Sequence, residues 1–213
     1  MKPIVHGVPL SPFVAKVLIL LEEKGVDYDS RPLVPQPKTP ELLAMSPLGK
    51  IPILEHDGFV LPDSSVICAY FERLQPAPRL FPQAPRDLAR ALWYEEYSDT
   101  AVMEAVAPAV FERFVKVHIL GQAPDEARAR DAIERLVPPV FDYLEKEIPA
   151  GRSTLLAELS IADLAIGAQL QTASLAGITP EPARWPRLSA YVRTLLGRPS
   201  FQRVLAAGMP KAA

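Results

Sequence analysis

Cysteine is almost missing from this chain: Cys68 is the single one among 213 residues. One thiol excludes an internal disulfide framework and fits a reducing compartment, so a cytoplasmic setting is expected. With only His6, His56 and His118 beside it, the sequence also has no Cys/His cluster of the kind that holds a metal. Runs of Lys and Arg are absent and the formal net charge is -2, which leaves no electrostatic footprint for nucleic acid. No membrane span is expected either. Residues 164–180 are uncharged, but Gln169, Gln171, Thr172 and Ser174 interrupt them, as in a buried helix. Pro3, His6 and Lys16 break any apolar segment of a signal peptide. Cys68 itself lies in the apolar run 66–71 and reads as a buried, inert thiol.

What is present is a chain 49% hydrophobic and 23% charged, long enough for one large domain or two small ones. Its first part alternates strand and helix signals. Strands are expected at 2–5, within the extended stretch 26–34, at 51–56 and at 59–61, with Asp57-Gly58 as a tight hairpin turn. Helices are expected at 12–24, 40–45 and 65–74, giving the order β-α-β-α-β-β-α. Residues 75–85 carry four prolines and read as a stiff interdomain linker. Beyond them only helices are signalled, at about 86–117, 125–147, 160–176, 186–196 and 199–207, with Pro108 kinking or splitting the first. The domains are therefore expected at 1–76 and 88–213, joined by a linker at 77–87. Leu159-Ser160-Ile161-Ala162-Asp163-Leu164 fits a capping box with a hydrophobic staple, a structural element.

Three places could carry chemistry. Ser11 stands between the first strand and the apolar stripe Phe13, Val14, Val17, Leu18, Leu20, Leu21, with Pro12 at the first helical position. Its hydroxyl can cap the helix's own N–H groups, or it can hold an anion with the positive helix end behind it. Pro52, in Gly49-Lys50-Ile51-Pro52, enters a strand without an N–H for the ladder. A cis bond that turns the Ile51 backbone toward an extended ligand would explain it, and so would an ordinary trans proline at an edge. Asp63 or Ser64 could cap the helix that follows. Together they could instead bind the zwitterionic end of an amino acid, the serine and helix terminus taking the carboxylate and Asp63 the ammonium.

In this order and within about 55 residues, these pieces resemble the glutathione S-transferase family. The motifs that carry the resemblance are Ser11-Pro12-Phe13 followed by Lys16-Val17, the run Ser46-Pro47-Leu48-Gly49-Lys50-Ile51-Pro52, the pair Asp63-Ser64, and the Ser160–Asp163 box. The resemblance covers nearly the whole chain. It implies a thioredoxin-like N-terminal domain, an all-α C-terminal domain, a homodimer, and glutathione as co-substrate with no further cofactor. By the same resemblance Ser11 hydrogen-bonds the glutathione sulfur, and Lys50 with Lys38 faces the glycine carboxylate. Ile51 pairs through its backbone with the cysteinyl part, cis-Pro52 shapes that turn, and Asp63 with Ser64 holds the γ-glutamyl end. Ser46 stands where an Asn is common, which alters the turn. Ser11 stands where some classes have Cys, while others use an upstream Tyr that residues 1–10 lack.

The implied reaction is attack of an activated thiolate on a small hydrophobic electrophile, as in detoxification. Peroxidase, isomerase and dehalogenase activities use the same thiolate, and some family members serve only as interaction modules. Disulfide exchange is disfavoured, because Ser11 cannot form a mixed disulfide. The electrophile is expected between the domains, near Val8, Pro9 and Phe13 of the first and Met103, Phe111, Phe114 and His118 of the second. Core packing is the simpler account of any one of these apolar residues, and His118 reads as a surface or satisfied histidine. Trp93, Tyr94 and Tyr97 suit a dimer interface or a domain junction.

Overall fold

The computed structural model describes residues 1–209, which divide between two units: 1–83 with the C-terminal segment from Pro199, and 84–198. The first unit runs β1 (Ile4–His6), α1 (Pro12–Lys24), β2 (Asp29–Arg31), α2 (Pro40–Met45), β3 (Ile53–His56), β4 (Phe59–Pro62) and α3 (Ser64–Leu74), the order read from the sequence. Its sheet is ordered β2-β1-β3-β4, with β1 parallel to β2 and antiparallel to β3, and β3 antiparallel to β4. This is a thioredoxin-like sheet.

Local chemistry accounts for these boundaries. Pro12 opens α1, and Gly25 closes it in the left-handed region at φ 65, a conformation a side chain would disfavour. Asp57 (φ 50) and Gly58 (φ 76) make the tight turn between β3 and β4, both central residues having the positive φ that such a hairpin requires. β1 and β3 are shorter than expected, and β4 is one residue longer. β3 begins at Ile53 rather than at residue 51, because Pro52 has no N–H to offer the ladder.

Register then decides what lies together. His6 pairs with Ile53, and Ile53 with Pro62. One row across the sheet therefore joins the residue before the Ser11 loop, the residue after Pro52, and the residue before Asp63. Three segments distant in sequence meet at one sheet end.

Two segments at the expected domain limits pack within the first unit. The proline-rich segment, read as a stiff linker, is tied to the first unit as far as residue 83 by an ion pair of the buried Lys24. Lys24 Nζ lies 2.7 Å from Glu72 Oε2 and donates to the carbonyls of Gln75 (2.7 Å) and Pro78 (2.9 Å). Glu72 in turn accepts from the N–H groups of Leu80 and Phe81. The helical domain also does not keep the last helix. That helix (Pro199–Gly208) returns to α1, where Arg203 Nε lies 2.6 Å from Glu22 and the Ser200 hydroxyl donates to Glu23.

The second unit is all helical: α4 (Pro85–Tyr97), α5 (Met103–Val110), α6 (Glu126–Asp131), α7 (Val137–Glu147), α8 (Ile161–Ser174) and α9 (Pro186–Leu196), with the returning helix as α10. Wider i→i+5 turns at 98–102, 111–119 and 132–136 join α4 to α5, extend α5 and join α6 to α7. Pro108 lies inside α5 without ending the helical run, which continues through the wide turns that follow it. Residues 161–173 of α8 are all buried, so this helix is the centre of the unit. At its start the Asp163 carboxylate accepts from the Ser160 N–H and hydroxyl and from the Leu155 N–H and the Tyr191 hydroxyl. The capping box is thus present, with two partners that the sequence motif does not announce. Among the described residues no helix is long and apolar enough to cross a membrane, and no three His, Cys, Asp or Glu side chains are placed to hold a metal ion.

Candidate functional site

Ser11 occupies the N-cap position of α1 with extended backbone (φ -69, ψ 126), yet its hydroxyl makes no capping bond. Main-chain groups hold it in place: its N–H donates to the Val8 carbonyl at 2.9 Å, and its carbonyl accepts from Ala15 at 2.8 Å. Of the two readings open for this hydroxyl, capping is not the one realised. A half-buried hydroxyl at a helix N-terminus, not consumed by the helix, is a donor available to an anion.

Gly7 permits the loop before it to pass close to the rest of the site. A Cβ at Gly7 would fall 2.5 Å from Val14 Cγ2 and 3.5 Å from Ile51 Cβ, and φ is 148. The α1 entrance and the Ile51 turn are therefore packed together with no room for a side chain between them. The Ile51–Pro52 peptide bond is cis, and Ile51 lies ahead of the β3 ladder. The Pro52 carbonyl accepts from the Asp63 N–H at 3.3 Å, joining the second motif to the third.

Asp63 and Ser64 divide the roles left open between them. Asp63 is the N-cap of α3, its Oδ1 accepting from the N–H groups of Ser65 (2.9 Å) and Val66 (3.1 Å). It does so at φ 85, a region rarely used by residues other than glycine. A non-glycine residue held there by its surroundings is a strained position of the kind that concentrates at ligand sites. Asp63 is exposed, whereas Ser64, the first residue of α3, is 4% exposed.

The two lysines lie on the adjoining loop, both exposed. Lys38 folds over Gly49 and donates to the Leu48 carbonyl at 3.1 Å. Ser46 is buried, and its Oγ accepts from the Lys50 N–H at 3.1 Å, so the serine holds the turn. The register and these contacts bring the Ser11, Ile51-Pro52 and Asp63-Ser64 segments to one end of the sheet. Sequence reasoning missed Gly7 and the backbone strain at Asp63, because neither a close approach nor a positive φ has a local sequence signal at those positions.

The residues expected around an electrophile are distributed between the units. Val8, Pro9 and Phe13 are half-buried beside Ser11 in the first. In the second, Met103 is half-buried, Phe111 and His118 are exposed, and Phe114 is buried with its ring 5.1 Å from that of His118. Tyr94 is a core residue, donating to Glu147, while Trp93 is half exposed and donates to the Tyr143 hydroxyl.

The model of the glutathione S-transferase N-terminal domain matches residues 5–79. Over 210 residues the chain is 31% identical to glutathione S-transferase 3 of Zea mays, covering 95% of this chain and 92% of that protein. It is also 27% identical to maleylacetoacetate isomerase of Mus musculus, over 94% and 91% of the two chains. Among solved structures, glutathione S-transferase I from mais in complex with an atrazine glutathione conjugate superposes with a TM-score of 0.83 at 25% identity, over 100% of both chains. The chain belongs to the glutathione S-transferase family.

Proposed function

We propose that the protein is a glutathione transferase in which Ser11 activates the thiol of bound glutathione for attack on a hydrophobic electrophile. The observation that carries this reading is the Ser11 hydroxyl, at the N-terminus of α1 and not engaged in capping it. A free thiol titrates near 8.5, so little of it is thiolate at neutral pH. Lowering that value by about two units takes roughly 2.7 kcal/mol. One hydrogen bond to a charged group contributes about 1.5–3 kcal/mol, and the helix terminus adds about 0.3–1 kcal/mol. Together the two are sufficient.

In this reading the thiol proton leaves to solvent and the Ser11 O–H donates to the sulfur anion. The sulfur then forms a bond to the electrophilic carbon as the leaving group departs or a double bond accepts the electron pair. Lys50 and Lys38 attract the glycine carboxylate, the Ile51 main chain ahead of Pro52 pairs with the cysteinyl unit, and Asp63 with Ser64 holds the γ-glutamyl end. Asp63 has Oδ2 left over after capping through Oδ1, so it can cap α3 and meet an ammonium at once. Val8, Pro9 and Phe13 supply apolar surface beside the sulfur, and Met103, Phe111, Phe114 and His118 are the second unit's candidates. The protein works as a homodimer in the cytoplasm, with detoxification as its setting. The exposed Phe59, Val60, Val66, Leu92 and Trp93 are apolar surface that a second copy could cover.

A second reading, glutathione-dependent isomerisation, is favoured by the similarity to a maleylacetoacetate isomerase. It uses the same thiolate, added to a double bond and later expelled. Calorimetric titration with glutathione, followed by turnover assays with a chloronitrobenzene and with a cis-dienoic acid, separates the readings. Binding with conjugation supports the transferase, binding with isomerisation alone supports the second reading, and no binding of glutathione overturns both in favour of an interaction module.

A further inference from the structure

Lys16 is the most deeply buried cation of the α1 entrance, 1% exposed, and the reaction as described makes no use of it. It follows Ser11 by five positions on α1. Its Nζ donates to the Ser65 hydroxyl at 3.1 Å, across to the first turn of α3. Ser65 in turn donates its N–H to Asp63 Oδ1 at 2.9 Å. A continuous line of hydrogen bonds thus runs from the helix that begins behind Ser11 to the acidic residue at φ 85 that begins α3.

Packing alone does not account for this choice of residue. Removing an ammonium from water is costly unless it is hydrogen-bonded, and the N-terminus of a helix is the end at which a cation is least welcome. A methionine of similar length would fill the space at no such cost. Among its interactions the ammonium supplies a directed bond to the Ser65 hydroxyl in the first turn of α3. That bond ties together the starts of two helices, and these are the elements assigned to the two ends of the tripeptide, Ser11 to the sulfur and Asp63-Ser64 to the γ-glutamyl group.

We propose that Lys16 is a positioning residue for glutathione, a strut that sets the spacing between the sulfur-holding start of α1 and the γ-glutamyl-holding start of α3. The proposal rests on the glutathione reading given above. A site assembled from separate elements binds an extended ligand only while their spacing is held to a fraction of an ångström. The strut therefore acts on affinity for the peptide. It does not act on the chemistry at sulfur, which Ser11 serves directly.

The test is a double-mutant cycle of Lys16→Met and Ser65→Ala in the full-length protein, read by calorimetric titration with glutathione and by steady-state kinetics. Each single variant is expected to weaken glutathione binding and raise its KM by about tenfold, about 1.4 kcal/mol. kcat at saturating glutathione should stay within about twofold, and the double variant should be no worse than the poorer single one. Lys16→Arg, which retains a donor, should recover most of the loss. Ser65→Ala removes the Ser65 acceptor and leaves the buried charge in place, so it can be read even where Lys16→Met does not fold. Unchanged glutathione affinity in Ser65→Ala, or losses that multiply in the double variant, overturns the strut while leaving the transferase reading intact. A wild type that does not bind glutathione overturns both.

Discussion

Asp163→Asn tests how far the start of α8 holds the second unit together. The wild-type carboxylate accepts four hydrogen bonds, from the Leu155 N–H (2.9 Å) and Tyr191 hydroxyl (2.9 Å) on Oδ1 and from the Ser160 N–H (2.9 Å) and hydroxyl (3.1 Å) on Oδ2. An Asn side chain of the same shape has one acceptor oxygen, and its NH2 must face two of these donors. Losing two bonds to a charged group costs about 3–6 kcal/mol, at about 1.5–3 kcal/mol each. Part of this is returned, because burial pushes the Asp163 carboxyl up and a neutral amide escapes that penalty. Tyr191, raised well above its usual range by burial and by Asp163, stays protonated and keeps demanding an acceptor. The net expectation is a loss of about 2–3 kcal/mol, which in a chain of this length lowers Tm by about 4–12 °C. Differential scanning calorimetry at neutral pH reads this directly. A variant melting within about 2 °C of wild type would refute the reasoning.

Two further perturbations address other levels of the structure. Gly208 ends α10 against the loop before Ser11: a Cβ there would lie 2.8 Å from Leu10 Cγ and 3.2 Å from the Leu10 nitrogen. Gly208→Val should displace Leu10 and lower kcat/KM for glutathione conjugation by about tenfold, since an ångström of misplacement costs up to about a hundredfold; steady-state kinetics at unchanged fold content checks this. Glu112 is buried, and the Lys116 ammonium at 2.6 Å, with the Asp125 N–H, holds its carboxyl below its usual 4.5. A depressed carboxylate stabilises the fold above the unfolded value and loses that contribution as pH falls. Urea midpoints measured from about pH 6 down to about pH 3 should therefore decline less steeply in Glu112→Gln than in wild type.

The comparison of sequence with structure divides along the range of the interactions. The limits of α1 were legible because Pro12 and Gly25 act on their own turns, and the hairpin because Asp57-Gly58 chooses its own dihedrals. The three motifs were legible as a set because their spacing matches a β-α-β-α-β-β-α order whose register brings them to one sheet end. The return of α10 was not. Nothing in the sequence around Glu22 and Glu23 announces Arg203 and Ser200, which only the fold brings to them. Lys24 and Glu72, 48 positions apart, likewise carry no sign in the sequence of the ion pair that fastens the proline-rich segment. Pro108, expected to kink or split the first long helix, lies inside α5, and the helical run continues through the wide turn at 111–119. For α10 and the Lys24–Glu72 pair the missing information is a partner more than a helical turn away.

The central claim is that the Ser11 hydroxyl stabilises the glutathione thiolate. Titrating the ultraviolet thiolate absorbance of bound glutathione against pH, in wild type and in Ser11→Ala, measures that contribution without reference to any particular electrophile. The account predicts a wild-type thiol titrating about two units below its free value of about 8.5, and a Ser11→Ala thiol returning most of the way toward it while glutathione still binds. Equal thiol pKa values in the two proteins would contradict it.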